Sequence, residues 1–201
     1  MIKTIILDNG HGKNTPGKRS PVYQDGKQLF EWEYTRKVVA GIAKGLTRLG
    51  LPHVVLVPED EDIPLRTRVQ RANRIAAKNG ISQTLLVSVH LNAAQNPDTG
   101  SGWEVHTSPG ETRSDGYARI FWEEAKKLLG HRFPMRGDFE DGNPDWDSSF
   151  AIIRDTACPA VLTENLFMDN VTDCRFLMSD EGLQTIIDIH LNAISRIVAI
   201  L

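Results

Sequence analysis

Short β-branched and aliphatic runs alternate with longer stretches of helical period along this chain. Residues 2–7 (IKTIIL) form an apolar run stopped by Asp8-Asn9-Gly10, a turn signal, and predict a buried strand. Over residues 31–49, Val38, Ile42 and Leu46 recur at helical spacing and lead to Leu49, with Gly50 where a helix would stop. Residues 53–57 predict a second strand. Residues 64–79 predict a helix with Pro64 near its first turn and Gly80 after its end. Further strands are expected at 84–89 and 103–106, a helix at 117–129, short strands at 150–153 and 160–163, and a closing amphipathic helix at 181–198. The acidic, turn-rich stretch 138–149 (DFEDGNPDWDSS) is the expected long surface loop. No internal repeat or low-complexity tract interrupts the series. Such alternation predicts a single α/β domain over residues 1–201, three layers deep, with a mostly parallel twisted sheet between helices.

Composition narrows the function classes. Of 201 residues, 40% are hydrophobic and 24% charged, far from the signature of disorder. A chain of this size can bury roughly 70% of its unfolded surface, so it needs neither disulfides nor a structural metal to fold. Any metal would serve chemistry. The net charge of −3 offers no electrostatic reason to bind nucleic acid or an anionic membrane, and the pairs Lys18-Arg19 and Lys126-Lys127 are too short to change that. Cys158 and Cys174 read as reduced thiols, and no C-x-x-C spacing is present to build a cysteine zinc site. No stretch approaches the length of a membrane helix, and the N-terminal apolar run is too short for a signal-peptide core.

Metal-capable residues fall at one edge of the expected sheet. His11 follows the first strand, His90 closes TLLVSV and Glu164 closes AVLT, so all three sit at carboxyl ends of buried strands, where open α/β sheets bind ligands. Two neutral imidazoles and one carboxylate around Zn²⁺ leave a position for water, whose pKa then falls to roughly 7. A second carboxylate, off the metal, can take the proton. Glu31, near the start of the long helix, supplies the first carboxylate and Glu164 the second. No H-E-x-x-H is present, so this is not a site built on one helix. Helix geometry separates Glu31 from Glu33: from Glu31, steps of four, three and four reach Thr35, Val38 and Ile42, the buried stripe, whereas from Glu33 they reach Lys37, Ala40 and Lys44.

The blocks IILDNGHG, the Glu31-x-x-x-Thr35 helix start, LRTRVQRAN, LLVSVHLNA, GWEV, PMRGD and IIRDTACPAVLTENLFMDN, followed by the closing helix, occur in one order. Together they resemble the zinc-dependent N-acetylmuramoyl-L-alanine amidases of the amidase 3 type, which include bacterial autolysins and phage endolysins. The resemblance spans nearly the whole chain. It implies zinc ligands at His11, Glu31 and His90, a catalytic Glu164, and peptidoglycan as substrate, cut between N-acetylmuramic acid and the L-alanine of the stem peptide. This chain departs from the family pattern at Asn9, where proline is usual, and at Leu166, where glycine is usual.

Asn92, Arg136 and Arg154 are candidate substrate contacts. Asp8 is expected either to orient a ligating imidazole or to cap a turn. Trp103 is expected in the core, with Trp103 and Trp146 as alternative cleft residues. His53, His106, His131 and His190 are expected to be structural. A zinc exopeptidase of carboxypeptidase type and a catalytically dead wall-binding module are the competing readings; retention of His11, Glu31, His90 and Glu164 argues against the second. A chain without a signal segment is expected to be made in the cytoplasm and to reach the wall after release, as a phage lysin does, or else to be trimmed from an exported protein. Oligomeric state is not expected to be legible.

Overall fold

The computed structural model describes every residue except Asp141, inside the 138–149 stretch, and Leu201. One sheet contains β1 (Thr4–Asn9), β2 (His53–Val55), β3 (Thr84–Asn92), β4 (Trp103–Thr107), β5 (Trp146–Asp147) and β6 (Ala160–Phe167), in the order β2-β1-β3-β6-β4-β5. β1 pairs in parallel with β2 and β3, and β3 in parallel with β6. β4 runs antiparallel to β6 and carries β5 parallel to itself. The helices are α1 (Glu31–Arg48), α2 (Leu65–Asn79), α3 (Arg113–Leu129), α4 (Ala151–Arg154), α5 (Val171–Leu177) and α6 (Asp180–Ala199).

Strand alternation divides the core in two. Ile5 and Leu7 of β1, Leu85, Val87 and Val89 of β3 and Val161 of β6 face the larger core with α1, α3 and α6. Ile6, Leu86, Ala160 and Leu162 face the smaller one with Ala72 and Ala76 of α2 and Ile152 and Ile153 of α4. The predicted three layers are present. Three helix starts carry side-chain caps: Thr112 and Asp115 form a reciprocal capping box on α3, Asn170 Oδ1 accepts the Thr172 and Asp173 N–H groups on α5, and Ser179 Oγ accepts the Gly182 N–H on α6.

The sequence expectation fails at 150–153, which is not a strand. Residues 151–154 form the single turn α4, closed by the Thr156 hydroxyl on the Ile152 carbonyl at 2.7 Å. A four-residue apolar run carries too little periodicity to separate a strand from a buried helical turn. The short helix α5 and the two-residue strand β5, within the expected loop, also have no clear hydrophobic period.

His190 of α6 is fully buried, as a structural histidine. Its Nδ1–H donates to the Ile186 carbonyl at 2.7 Å, and its Nε2 accepts from the Thr163 hydroxyl at 3.0 Å. Burial lowers its pKa from 6.5 to about 4. The unfolded chain therefore takes up a proton that the native state refuses, so the stabilising contribution is complete above pH 6.5 and is lost as pH falls towards 4. Urea unfolding between those limits should show stability falling with acidity, and His190→Leu should flatten that part of the profile.

Candidate metal centre

The parallel pairing of β1, β3 and β6 brings their carboxyl ends to one edge. His90 of β3 lies in register with Glu164 of β6, and Glu164 with Glu104 of the antiparallel β4, so the three side chains leave the same face of the sheet. Asp8 and Ser88 lie on that face too, towards the interior. The face is apolar at Ile6, Leu86 and Leu162 and turns polar as it approaches the edge.

His11 reaches this edge from a tight turn after β1, with φ at 61°. Such a conformation is uncommon for a residue with a side chain and must be held by its surroundings. Arg68 does most of this. Its Nη2 donates to the His11 carbonyl (3.0 Å) and to Asp62 (3.0 Å), its Nη1 to Asp8 (2.9 Å) and the Asn9 carbonyl (2.7 Å), and its Nε to the Ile63 carbonyl (2.8 Å). All five guanidinium donors are used. Arg36 adds a bond to the His11 carbonyl at 3.2 Å. The flanking glycines are required by close approach: a Cβ on Gly10 would overlap the His90 ring, and one on Gly12 the backbone of Asp62.

Glu31 opens α1 and is completely buried. Its Oε1 accepts the Leu91 N–H at 3.0 Å and lies 3.2 Å from His90 Nδ1 and 3.5 Å from His11 Nε2. The imidazoles stand edge to face, centroids 5.0 Å apart. One ligand atom from each of the three residues falls within 4.8 Å of the others. Tetrahedral zinc with bonds of about 2.0–2.1 Å separates its ligand atoms by about 3.3 Å, close to both distances from Glu31. Glu31 Oε2 is buried with no hydrogen-bond partner, as expected of an oxygen kept for a cation. The donor set and its spacing fit a divalent ion.

The three groups titrate under one another's influence. Burial, only partly opposed by Glu31, lowers His11 to about 4 and keeps it neutral. Burial would also lower His90, but its hydrogen bond to Glu31 and the charges of Glu164 and Glu31 outweigh that and raise it. Burial would raise Glu31, yet the two imidazoles and the Leu91 N–H hold it below its ordinary value. Glu33 instead faces solvent in an ion pair with Lys37 at 2.7 Å.

Glu164 lines a cavity of about 240 Å³ together with His11, His90 and Lys18, and with the apolar side chains of Leu65, Phe150 and Leu162. Burial pushes its pKa up to about 8, against the pull of His90 and with help from Glu31 and Glu104. Its Oε2 has no hydrogen-bond partner. Immediately beyond it, β6 carries an extra residue: His90 pairs with Glu164 but Asn92 with Phe167, and Leu166 has φ of 67°. Bulges of this kind usually place glycine in the left-handed position.

Two of the candidate substrate contacts converge on Glu104: Asn92 Nδ2 donates to it at 2.6 Å and Arg136 Nε at 2.5 Å. Arg154 does not line the cavity and is forked onto Asp155 at the surface. Asp8 neither orients an imidazole nor caps a turn, because its two carboxylate oxygens are taken by Arg68 (2.9 Å) and by the Ser88 hydroxyl (2.6 Å). Trp103 is buried and donates to Asn165 at 2.8 Å, while Trp146 is half-buried on β5. His106 has partners that spacing could not reveal, Glu104 at 3.3 Å and Ser148 at 2.8 Å. Sequence reasoning gave no role to Arg68, Glu104 or Asn165, whose amide donates to the His90 carbonyl at 2.9 Å. Each stood inside a recognised block, and its partners lie far away in sequence.

The family model for N-acetylmuramoyl-L-alanine amidases matches residues 5–196. This chain belongs to that family. It is 30% identical to the N-acetylmuramoyl-L-alanine amidase CwlM of Bacillus licheniformis over 98% of its own length and 68% of that protein. It is 29% identical to the endolysin of Bacillus phage SPP1 over 98% and 66% respectively. The fold is shared with an N-acetylmuramoyl-L-alanine amidase from Clostridium difficile 630 (TM-score 0.83, 20% identity, 99% of this chain and 98% of that one). It is also shared with the catalytic domain of CwlV from Bacillus (Paenibacillus) polymyxa var. colistinus (TM-score 0.79, 19% identity, 100% of both chains). The chain thus spans about two thirds of the length of the curated relatives it matches. Among the described residues no helix is long and apolar enough to cross a membrane.

In this amidase, Arg68 is the residue whose loss should be felt first. Arg68→Met leaves the Asp8 carboxylate buried with only the Ser88 hydroxyl, and frees the His11 turn. Breaking one side of a buried, fully bonded pair costs about 3–5 kcal/mol. Urea denaturation should register a loss of that order, and metal titration of the folded variant should show weakened binding.

Proposed function

We propose that His11, Glu31 and His90 hold a zinc ion and that Glu164 moves protons while the chain hydrolyses the amide bond between N-acetylmuramic acid and the L-alanine of the peptidoglycan stem peptide. The observation that carries this reading is the group of three ligand atoms within 4.8 Å of one another, with Glu31 3.2 and 3.5 Å from the two imidazoles and the unpartnered Glu164 Oε2 in the adjoining cavity. A zinc ion bound there would supply Lewis-acid polarisation of the scissile carbonyl and activation of water. Glu164, outside the ligand set, accepts a proton from the attacking water and returns it to the departing alanine nitrogen. A carboxyl raised by burial into the neutral range suits both halves of that exchange. Leu65, Phe150, Ile152 and Leu162 give the rest of the cavity an apolar lining. Glu104 holds Asn92 and Arg136, each of which keeps donors that this reading assigns to glycan or peptide.

Mass analysis of digested peptidoglycan should reveal stem peptides with a new free L-alanine amino group and glycan strands without new reducing ends. Release of terminal D-alanine instead would make the chain a carboxypeptidase. Glu164→Gln should keep zinc and lose turnover by roughly 10²- to 10⁴-fold. His11→Ala and His90→Ala should lose both. Glu31→Gln should weaken zinc binding sharply and Glu33→Gln should not; the opposite pattern in a zinc titration would reassign the ligand.

A further inference from the structure

We propose that Lys18 binds the carboxylate carried by the second residue of the stem peptide, and so makes the enzyme favour stems in which that group is free over stems in which it is amidated. The inference rests on the amidase reading above and names what part of the substrate that site selects.

Lys18 lines the same cavity as His11, His90 and Glu164 and is partly buried. Among the described residues its ammonium has no ion-pair partner, whereas the neighbouring cations are committed. Arg68 uses every donor, Arg36 is held by the Glu59, His11 and Trp32 carbonyls, and Arg136 is paired with Glu104. The Lys18 backbone is also fixed. Its carbonyl accepts the Glu31 N–H at 3.1 Å, the Ser20 N–H donates to the Leu29 carbonyl at 2.8 Å, and Arg19 bridges Phe30 between them. A lysine on a mobile tip would be solvated and featureless, but this one is anchored beside a proposed metal ligand.

Charge and size then narrow the ligand. Glu31 offsets one charge of a doubly charged ion and Glu164 at most the other, which leaves the Lys18 charge uncompensated and the cavity suited to an anion. At about 240 Å³ the cavity is smaller than the roughly 300–1,000 Å³ that encloses a drug-sized ligand. It therefore takes the atoms next to the scissile bond, with methyl groups against Leu65, Phe150 and Ile152. On the departing side of that bond, L-alanine is neutral, and the first anionic group belongs to the next residue. A charge-assisted bond to that carboxylate is lost when it becomes a carboxamide.

The test uses zinc-loaded enzyme and synthetic muramoyl tripeptides that differ only in carrying a carboxylate or a carboxamide at the second residue. A third substrate is amidated only at its C-terminus. The wild type should show kcat/KM higher by about tenfold or more for the second-residue carboxylate, the range expected of a hydrogen bond to a charged group. Lys18→Met should bring the two rates together, Lys18→Arg should keep them apart, and zinc content should match the wild type in both variants. Equal handling of the first two substrates by the wild type, or equal slowing of both by Lys18→Met, overturns the assignment. A preference that follows C-terminal amidation moves the recognised carboxylate elsewhere and overturns it as well. Failure of the zinc-loaded wild type to cleave any of the three defeats the amidase reading, and this inference falls with it.

Discussion

The buried Arg68 guanidinium is the interaction on which the working edge of this molecule depends. It comes from α2, crosses the end of β1, and satisfies five acceptors supplied by Asp8, Asn9, His11, Asp62 and Ile63. A charge this deep is tolerated only because no donor is left over and Asp8 lies 2.9 Å away. In return, one side chain fixes the relation of a helix, a strand, a connecting loop and the left-handed His11. Without it, the His11 carbonyl would keep only its longer bond to Arg36 to hold a conformation that most residues avoid.

A second constraint is the crowding around the two imidazoles. Gly10 lets the His90 ring pass over the turn, Gly12 lets the turn lie on the 61–62 backbone, and Asn165 ties the His90 carbonyl to β6. Beyond Glu164 the β6 bulge is fastened by Asp173 of α5, which accepts the Gly102 N–H at 2.9 Å, the Phe167 N–H at 3.0 Å and the Ser101 hydroxyl at 2.7 Å. These contacts brace the His11 turn, the end of β3 at His90 and the end of β6 at Glu164. The two carboxylates are thereby placed differently, Glu31 shielded on the helix and Glu164 open to the cavity, as the proposed division between metal holding and proton transfer requires. Leu166 stands at a left-handed position where the family usually has glycine, and its complete burial opposes the backbone cost.

What the linear pattern carried well was everything governed by local period. The apolar runs of β1, β3 and β6, the stripes of α1, α2 and α6 and the stops after them were legible because strands and long helices impose repeats of two and of about 3.6 residues. The placement of His11, His90 and Glu164 at one edge followed from strand ends in a parallel sheet, and the distinction between Glu31 and Glu33 followed from helix geometry. Short elements escaped because α4, α5 and β5 have too few residues to establish a period. Asp8 was misjudged because its partner lies sixty positions away.

By itself, then, the sequence determined which residues could become a metal site and on which elements they would sit, since residue type and hydrophobic period are local properties. Only the tertiary structure decided which side chains meet. Arg68 meets Asp8, Glu104 collects Asn92, Arg136 and His106, and Lys18 faces the cavity without an ion-pair partner while Arg154 turns away from it. Those outcomes depend on strand order, on the antiparallel insertion of β4 and on a one-residue bulge in β6, and each brings together positions whose separation along the chain carries no periodic trace.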